Sequence, residues 1–533
     1  MSGNFGELRS THFHAGIDLK TMGETGKNVY AISSGYVSRV KVQTGGYGHS
    51  LYITHFNGFT SVYAHLDSFA PEIENYLRDK QYALKKFEVD LYPDKSQFVV
   101  KSGQKIGVSG NTGSSGGPHL HLEIRDKNQV PLNALKYPFA ISDTIEPVFT
   151  NLVVYNSVNR LTFEPAEKTI TPVVGGKGKY LVPNPVRVSG NAGFGVEIYD
   201  FLNGSQNKCG IYTLDFEIDN MTIFSIKLDK LSFDEAPYIK TFTDYAEKIL
   251  NNRSIHRMFV EPNNKLSIYT SIFNNGLYSF NDTLEHKARV VATDVHGNLS
   301  ELTFIIVGNV EDCLFIERPD NAFYMYWDRD NTFSEENIVY KVPIGALYAD
   351  KAMVFSQGAS EFGMLGNIYR LGNEFVPMHK NPELSIKISD SVFIANPKKL
   401  VVVRIDNSGK IISEGGRFEN HWVTAKVKGF GNYSVMSDTL PPLIKPVAYR
   451  KNSWYANGGQ LSFKISDDLS GIKTYNGYID NMWVLFEYDA KTESLFYRFD
   501  EKRLRKTGTL RNLKLVVTDE RDNSSTFTGQ FYY

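Results

Sequence analysis

Several features that assign proteins to special classes are scarce in this chain. Of its 533 residues only two are cysteines, Cys209 and Cys313. They could pair, but one pair in so long a chain is not a disulfide framework, so the cysteines do not identify the compartment. No run of about 18 apolar residues occurs, so no segment is predicted to span a membrane. The N-terminal residues MSGNFGELRST form neither a basic nor an apolar region, and no signal peptide is visible in them.

The chain also lacks an excess of charge of either sign. It carries 58 Lys and Arg against 59 Asp and Glu, a formal net charge of −1. Since no global field attracts nucleic acid or an anionic membrane, we expect no nucleic-acid partner. The aromatic content is 13%, and short runs rich in Val, Ile, Tyr and Phe recur throughout. This composition favours β-sheet over helix, and the length suggests three to five domains.

The first 140 residues consist of short apolar runs broken by glycines. Residues 29–42, 50–55 and 60–66 alternate well enough to predict an antiparallel meander. A helix is predicted over PEIENYLRDKQYALKKF, because Pro71 suits the first helical position and apolar residues follow at helical spacing. The segment therefore predicts a mainly β domain with one helical insertion.

A repeat organises most of the remaining chain. DTIEP at residues 143–147 is echoed by DTLPP at 438–442, and VVATDVHGNLS at 290–300 by LVVTDERDNSS at 515–525. Each copy predicts a β-sandwich, the first with an inserted segment, and residues 309–437 form a β-rich unit of different pattern. The predicted domains are therefore 1–140, 141–308, 309–437 and 438–533, and the fold class is mainly β.

Two short stretches in the repeats have the character of calcium-loop fragments. They are residues 294–298 and 519–523, each of which runs from an aspartate to an asparagine. Too few carboxylates cluster in either stretch for a calcium loop, so turn formation is the favoured interpretation.

Two segments contain the residues from which a metal site could be built. In PHLHLEI, residues i and i+2 of a strand share a face, so His119 and His121 project together with Glu123. In HAGIDLK, the spacer between His14 and Asp18 lets an imidazole and a carboxylate reach one metal ion. A lone His-x-His is more often just a polar strand face, but its coincidence with the second segment favours a zinc site with an open position.

Residues 1–140 resemble the lysostaphin-type (LytM-like) zinc metalloendopeptidases, which cut peptide cross-bridges in bacterial peptidoglycan. The motifs that carry the resemblance are FHAGIDL, GGYGHSLYITH, YAHL, VKSGQKIGVSGNTG and GPHLHLEIR, in the order of the family. The resemblance implies an antiparallel β catalytic domain of the duplicated-hybrid-motif type. The two later sandwiches resemble bacterial immunoglobulin-like modules.

The same resemblance assigns roles to five side chains. It implies that His14, Asp18 and His121 are the ligands of one Zn²⁺ ion. It also implies that His65 and His119 are catalytic histidines that do not bind the metal. We expect His119 to act as the base and His65 to orient water or stabilise the tetrahedral intermediate, although these two roles could be exchanged.

Further residues near the expected cleft have less defined roles. Arg9 and Asn111 match family positions beside the cleft, and contact with substrate and a purely structural role are equally open for both. Glu123 is expected to be a solvent-exposed carboxylate rather than a support for the histidines. Four glycines are expected to form a flexible cleft wall that admits an extended peptide: Gly110, Gly113, Gly116 and Gly117.

The leading functional hypothesis is a zinc endopeptidase that acts on peptidoglycan stem peptides or cross-bridges. The resemblance implies a cell-envelope location, whether periplasmic, outer-surface or secreted. One alternative is a catalytically silent relative that activates or scaffolds other wall hydrolases, but all five chemical positions are intact. Another is a surface-binding protein whose β-modules bind a cell-envelope protein or glycan, with an ancillary peptidase.

Overall fold

The computed structural model describes residues 1–155, 168–308, 320–361, 363–389 and 394–533. Cys313 and the domain boundary predicted at residue 309 lie outside these ranges. Strands dominate the described residues, and the prediction of a mainly β protein is confirmed. Within the same ranges, no helix is long and apolar enough to cross a membrane.

The N-terminal unit contains a large antiparallel sheet, a small one and a single α-helix. Its elements are β1 (Ile17–Lys20), β2 (Asn28–Tyr30), β3 (Gly35–Val42), β4 (His49–His55), β5 (Thr60–Ala64), β6 (Leu66–Phe69), α1 (Pro71–Leu84), β7 (Val89–Leu91), β8 (Val99–Val100), β9 (Lys105–Ser109), β10 (His119–Arg125), β11 (Pro131–Leu132) and a 3₁₀ turn at Ala134–Lys136. The large sheet has the order β1-β10-β5-β4-β3-β7, with β11 beside β10 and β8 beside β3. The small sheet has the order β2-β9-β6.

The predicted meander is present as the consecutive neighbours β3, β4 and β5. The stretch predicted as one strand over residues 29–42 is divided, however, because the chain bends at residues 32–34. Its first part, β2, pairs with β9 in the small sheet. Two sheets therefore enclose the N-terminal core where the sequence predicted one meander.

The helix begins at Pro71, as predicted, and ends at Leu84. It buries Ile73, Leu77 and Gln81, which lie four residues apart and therefore share one face of the helix. Lys85 follows in the left-handed conformation, with φ of 50°, and this stops the helix.

The first sandwich follows with two sheets and the inserted helical segment. Its strands are β12 (Val148–Tyr155), β13 (Lys168–Ile170), β14 (Val173–Gly176), β15 (Lys179–Leu181), β16 (Val186–Val188), β17 (Gly190–Tyr199), β18 (Thr213–Ile218), β19 (Met221–Lys227), β20 (Ile255–Arg257), β21 (Tyr269–Ile272), β22 (Tyr278–Phe280), β23 (Glu285–Thr293) and β24 (Leu299–Gly308). Between β19 and β20 lie a 3₁₀ helix at Phe233–Tyr238, α2 (Ile239–Phe242) and α3 (Tyr245–Asn251), and a 3₁₀ turn at Asn274–Gly276 follows β21.

The last two units are also built from paired sheets. The third unit contains β25 (Ala322–Met325), β26 (Asn331–Glu335), β27 (Ile338–Val342), β28 (Lys351–Gly358), β29 (Ile368–Leu371), β30 (Glu383–Lys387), a 3₁₀ turn at Pro397–Lys399, β31 (Leu400–Ile405), β32 (Ile411–Gly415), β33 (Arg417–Glu419), β34 (Trp422–Lys426) and β35 (Gly431–Ser437). The second sandwich contains β36 (Leu443–Ala448), β37 (Gln460–Ser466), β38 (Ile472–Ile479), β39 (Met482–Val484), β40 (Glu487–Asp489), β41 (Ser494–Arg498), β42 (Leu510–Asp519) and β43 (Ser524–Tyr532).

Each unit has its own hydrophobic core, but two of these cores contain residues from elsewhere in the chain. Phe5, Leu8 and Phe13 of the N-terminal segment pack in the core of the first sandwich. Leu485 of the second sandwich, 4% exposed, packs in the core of the N-terminal unit. Both sandwiches are therefore joined to the N-terminal unit by apolar contacts.

The second sandwich docks against helix α1. The rings of Tyr82 and Trp483 meet edge to face with centroids 5.5 Å apart. Nearby, Arg78 Nη1 lies 2.5 Å from Glu487 Oε1, and both side chains are largely covered. Removal of Arg78 would leave Glu487 as an uncompensated charge in this interface.

Replacing Leu485 tests this docking. Because Leu485→Ala removes buried methyl groups and leaves a cavity, we expect it to destabilise the interface by about 2–5 kcal/mol. Met482→Ala in the preceding strand is the control, since Met482 is 56% exposed and its loss should stay within about 0.5 kcal/mol. Calorimetric unfolding of the full chain measures both, and equal transition midpoints for the two variants would contradict the docking.

Candidate metal centre

The register between β1 and β10 brings the two sequence segments together. The strands run antiparallel, with Asp18 directly opposite His121 and Lys20 opposite His119. His14 lies just before β1, at the end of the N-terminal segment. Two side chains from the strand pair, Asp18 and His121, therefore meet His14 from the incoming chain.

Three ligand atoms converge at this place. His14 Nε2 lies 3.0 Å from Asp18 Oδ1 and 3.0 Å from His121 Nδ1, and His121 Nδ1 lies 2.9 Å from Asp18 Oδ1. All three residues are buried. Two ring nitrogens and a carboxylate oxygen that face one another at this distance can all be satisfied by a single cation.

The His14 ring is oriented by a bond on its far side. His14 Nδ1–H donates to the backbone carbonyl of Asn4 at 2.7 Å, so Nε2 is left as the ligand atom. The Asn4 side chain is fixed in turn by Gly210 of the first sandwich. Its amide donates to the Gly210 carbonyl and its carbonyl accepts from the Gly210 N–H, each at 2.7 Å.

The His121 ring is oriented by Glu123, two residues along the same strand. His121 Nε2–H donates to Glu123 Oε1 at 3.0 Å, which leaves Nδ1 as the ligand atom. Glu123 Oε2 accepts from Arg125 Nε at 2.7 Å, and the Tyr47 hydroxyl donates to Oε1. Glu123 is 0% exposed, so the expectation of a solvent-exposed carboxylate was wrong. Arg125 and Tyr47 neutralise and cover it, which the alternation along β10 did not indicate.

The electrostatics favour charge at the centre of the site. Burial opposes ionisation of Asp18, but the rings of His119, His121 and His14 around its carboxylate outweigh it and hold the pKa of Asp18 well below its usual value. Burial likewise opposes protonation of His121, yet its bonds to Asp18 and Glu123 raise its pKa to about 9. Burial dominates at His14, whose pKa is lowered. In the absence of metal, these pKa shifts favour a protonated His121 beside an ionised Asp18.

His119 lies beside the three converging atoms. Its Nδ1–H donates to the Gly117 carbonyl at 2.8 Å, and the Ser115 hydroxyl lies 3.1 Å from the same nitrogen. Its other nitrogen, Nε2, is 3.4 Å from Asp18 Oδ1. The ring is 15% exposed, so it reaches both the ligand cluster and the open side of the site.

His65 directly follows β5 and is held in an unusual backbone conformation. Its φ is 59°, in the left-handed region, and its N–H donates to the Tyr47 carbonyl at 2.9 Å. His65 Nδ1–H donates to the Thr112 carbonyl at 2.8 Å, and the ring centroid lies 4.8 Å from that of His119. Burial and the nearby His121 lower the pKa of His65 to about 4, so its ring is neutral at pH 7.

Arg9 and Asn111 occupy different surroundings. Arg9 Nη2 lies 3.3 Å from Asp18 Oδ2 and 3.2 Å from Glu7 Oε2, so Arg9 contacts the oxygen of Asp18 that does not face the histidines. Asn111 lies in the loop before β10, and its Oδ1 is buried with no hydrogen-bond partner among the described residues. Arg9 thus supports a ligand, while Asn111 carries a spare acceptor.

The glycines before β10 fall into two kinds. Gly113 has φ of +70°, and a Cβ there would lie 2.3 Å from the backbone nitrogen of Gly48. A Cβ at Gly110 would lie 2.4 Å from the backbone nitrogen of Asp67. A Cβ at Gly116 or Gly117, in contrast, would meet no other described atom within 4 Å. Gly110 and Gly113 therefore allow close backbone approach that fixes the loop, and only the other two leave open space.

The second sandwich also contacts this loop. Lys491 Nζ donates to the Ser115 carbonyl at 3.1 Å and to the Asn111 carbonyl. Ser115 is the residue whose hydroxyl lies beside His119 Nδ1. Sequence reasoning did not identify Lys491, Asn4 or Tyr47, because each acts through a contact with a distant part of the chain. It also missed Arg125, although the i, i+2 spacing from Glu123 on β10 is a local signal for their ion pair.

The residues present fit a zinc ion. Two imidazoles and one carboxylate form the donor set of hydrolytic zinc sites, in which a fourth position stays open. The second polar atom of each ligand is engaged by Asn4, Glu123 or Arg9, as metal ligands require. The three atoms turned toward one another are thus the ones free to coordinate.

Comparison with known proteins identifies the region that holds this site. The sequence profile of peptidase family M23 matches residues 12–82 and 83–134, and that of the Zu5-like domain matches residues 322–438. Over 126 residues the chain is 33% identical to the DD-carboxypeptidase/endopeptidase Mpg of Neisseria meningitidis serogroup B, covering 24% of this chain and 23% of Mpg. The chain therefore matches about a quarter of the length of that relative.

Two further matches cover the same region. Lipoprotein NlpD of Yersinia enterocolitica is 30% identical over 115 residues, which are 22% of this chain and 93% of that protein. The crystal structure of the catalytic domain of the prophage-encoded M23 protein EnpA from Enterococcus faecalis is 25% identical, with a TM-score of 0.19, and covers 26% of this chain and 88% of that domain. Residues 12–134, which the family M23 profile matches, contain His14, Asp18 and the other three histidines of the site. Through these residues the chain belongs to peptidase family M23.

Proposed function

We propose that this protein is a zinc-dependent endopeptidase of the cell envelope that hydrolyses peptide bonds in peptidoglycan stem peptides or cross-bridges. The observation that carries the proposal is the convergence of His14 Nε2, Asp18 Oδ1 and His121 Nδ1 within 3.0 Å of one another, in a domain of family M23. Two further histidines stand beside these atoms, which a purely structural metal site does not need.

His14, Asp18 and His121 would hold the metal. Bound zinc acidifies a water molecule and polarises a scissile carbonyl. Glu123 and Asn4 keep the two imidazoles in the tautomers that present Nδ1 and Nε2 to the metal. The Arg9 guanidinium keeps Asp18 Oδ2 turned away from it.

The hydrogen bonds of His119 suit the role of base. Because its Nδ1–H is committed to the Gly117 carbonyl, the neutral ring presents an unprotonated Nε2 to the site. That atom can take a proton from the attacking water. The nearby Asp18 carboxylate, 3.4 Å from Nε2, then stabilises the imidazolium that forms.

His65 suits the orientation of the water better than stabilisation of the oxyanion. Its Nδ1–H is committed to the Thr112 carbonyl and its pKa is lowered to about 4, so at pH 7 Nε2 can accept a hydrogen bond but has none to donate. An oxyanion requires donors. We therefore assign His65 as the acceptor that aligns the water toward the carbonyl.

Substrate recognition is assigned to the cleft beside these histidines. The spare acceptor Asn111 Oδ1 suits a backbone N–H of an extended peptide. The name DD-carboxypeptidase/endopeptidase of the Neisseria relative favours bonds in peptides that contain D-residues. Peptidoglycan stem peptides have that chemistry and lie in the cell envelope.

Removal of a ligand tests the proposal. We expect His121→Ala and His14→Ala to lose zinc and peptidase activity together, because three protein ligands are the minimum for such a site. Zinc content is measured by metal analysis, and activity by mass spectrometry of muropeptides released from purified sacculi with and without a chelator. His12→Ala is the matched control, since His12 forms a second His-x-His pair with His14 but is exposed.

If the wild-type protein holds zinc but leaves every sacculus preparation intact, the proposed peptidase activity is contradicted and the proposed metal site is not. A protein that binds no zinc would contradict both, and would favour the scaffold hypothesis. The control variant His12→Ala should match the wild type in zinc content and in turnover.

Replacement of His119 separates metal binding from catalysis. We expect His119→Ala to retain zinc and to lower kcat by about 10²–10⁴-fold, because the variant lacks the proton acceptor but keeps all three ligands. Retained turnover would overturn the assignment of His119 as the base. Steady-state kinetics on a defined cross-linked muropeptide, with zinc content measured in parallel, provides the comparison.

Replacement of Gly113 tests the fixed part of the loop. We expect Gly113→Ala to lower kcat/KM by about 10–100-fold, since the Cβ clashes with Gly48 and displaces the segment that carries the Thr112 carbonyl and Asn111. Gly116→Ala in the same loop meets no atom within 4 Å and should keep near-normal kcat/KM. Similar effects of both variants would indicate that the loop is not held at Gly113.

A further inference from the structure

The two sandwiches place three aspartates at matching positions of the repeat. The first trio is Asp143, Asp200 and Asp294, and the second trio is Asp438, Asp467 and Asp519. The first member of each lies in the segment that leads into the first strand of its sandwich, β12 or β36. The second directly follows β17 or β37, and the third lies at the end of β23 or β42. Each trio therefore gathers at one end of its sandwich.

The members of each trio are close in space although far apart in sequence. Ligand atoms of Asp143, Asp294 and the neighbouring His296 lie within 4.8 Å of one another, and so do those of all three members of the second trio. Asp200 lies outside the first of these clusters but close enough to Asp143 and Asp294 for their charges to act on its carboxyl. Asp143 is 7% exposed, Asp200 1% and Asp294 4%. These carboxylates are thus packed together out of contact with bulk water.

Several of their oxygens lack a protein partner. Asp143 Oδ2, Asp200 Oδ1 and Asp438 Oδ2 are buried and accept no hydrogen bond from any described residue. A buried carboxylate oxygen without a partner is costly, and a second negative charge beside it adds to the cost. The same arrangement in both repeats requires a common explanation.

The pKa values of the aspartates also indicate that each trio lacks a positively charged partner. Burial, together with the negative charges of Asp143 and Asp294, raises the pKa of Asp200 to about 8. Burial raises the pKa of Asp438, and the charges of Asp467 and Asp519 add to the rise, which contacts with Ser470 oppose without cancelling it. Each trio is therefore deficient in positive charge.

Turn formation accounts for two members of each trio but not for all of their oxygens. Asp294 Oδ1 accepts from the Asn298 N–H at 2.8 Å, and Asp519 Oδ1 accepts from the Asn523 N–H at 2.8 Å. The turns favoured by the sequence are thus present. Asp143 and Asp467 also cap turns, through the N–H groups of Ile145 at 3.1 Å and Gly471 at 2.8 Å. Turns do not account for the buried oxygens Asp143 Oδ2, Asp200 Oδ1 and Asp438 Oδ2.

We propose that each aspartate trio is a binding site for one Ca²⁺ ion. A hard divalent cation satisfies the unpartnered oxygens and neutralises the clustered charge in one step. Carboxylate and carbonyl oxygens are the ligands that Ca²⁺ prefers, whereas zinc prefers imidazole and thiolate. Ca²⁺ also tolerates irregular coordination better than Mg²⁺, which suits ligands from three separate segments.

The two sites lie where neighbouring units join. His296 Nε2–H donates to the Ile141 carbonyl at 3.2 Å, next to the segment that leaves the peptidase domain. The Asp438 N–H donates to the Lys399 carbonyl at 2.8 Å, and Arg521 Nη1 donates to the Gly416 carbonyl at 2.9 Å, both in the third unit. Cation binding at the trios would therefore fix the angle between each sandwich and the unit before it.

Calcium titration of the zinc-loaded full chain tests the proposal. Competition with a chromophoric calcium chelator should give one Ca²⁺ per sandwich, with dissociation constants of about 10⁻⁵–10⁻³ M. Saturating CaCl₂ should raise the first unfolding midpoint by about 5 °C, and equal MgCl₂ by clearly less. Preloading with zinc keeps the peptidase site occupied, so it cannot contribute to the calcium count.

Variants assign the two sites separately. Asp200→Asn should remove one Ca²⁺ per chain, and Asp467→Asn the other. In calcium-free buffer Asp200→Asn should unfold at a higher temperature than the wild type, because the amide removes like-charge repulsion, and it should lose most of the calcium-dependent rise. Asp406→Asn is the matched control: Asp406 caps an exposed turn through the Lys410 N–H at 2.9 Å and lies outside both trios.

The proposal is overturned if the wild type binds no Ca²⁺ up to about 10⁻² M, ten times the weakest affinity expected. It is also overturned if Asp200→Asn and Asp467→Asn each keep the wild-type stoichiometry. The wild-type titration decides the question by itself should either variant fail to fold. A calcium-free stability gain without any calcium binding would identify the trios as proton-sharing carboxylates.

Discussion

The candidate metal site depends on three ligand atoms that meet at one point from three different directions. Asp18 and His121 are brought together by the pairing of β1 with β10, but His14 arrives from outside the sheet. None of the three could be oriented by its own rotamer alone. Each is held from behind by a second group, Asn4, Glu123 or Arg9, and those groups are fixed by further contacts. The site is therefore as rigid as the packing around it.

That packing reaches beyond the peptidase domain. Asn4, which orients His14, is held by Gly210 of the first sandwich, and Phe5 and Leu8 beside it are buried in that sandwich's core. On the other side, Lys491 of the second sandwich contacts the loop that positions His119. Two β-modules thus contact the site, one through Asn4 behind His14 and the other through the loop beside His119. The sandwiches therefore contribute residues that hold the site in place, but no side chain that would bind the metal or act as the base.

The sequence predicted those features that follow from local periodicity or spacing. Period-two alternation placed His119 and His121 on one face, and Pro71 marked the start of the helix correctly. It did not predict the burial of Glu123, because alternation along β10 pairs Glu123 with Arg125 but does not show that Tyr47 covers them from another part of the chain. Nor did it connect Asp143 and Asp200 with the turn at Asp294. Contacts between distant segments, rather than element types, account for what was missed.

A continuous set of hydrogen bonds joins the first aspartate trio to the metal centre. The Asp200 N–H donates to the Cys209 carbonyl at 3.0 Å and the Cys209 N–H returns to Asp200 at 2.8 Å, which closes the loop that ends at Gly210. Gly210 holds Asn4, and Asn4 holds His14 Nδ1 at 2.7 Å. Contiguity alone does not establish coupling, which requires an element that both sites bias. The loop of residues 200–210 is a physical connection between the two sites, because one end carries Asp200 and the other contacts Asn4. Coupling would require this loop to have two arrangements that the sites favour differently.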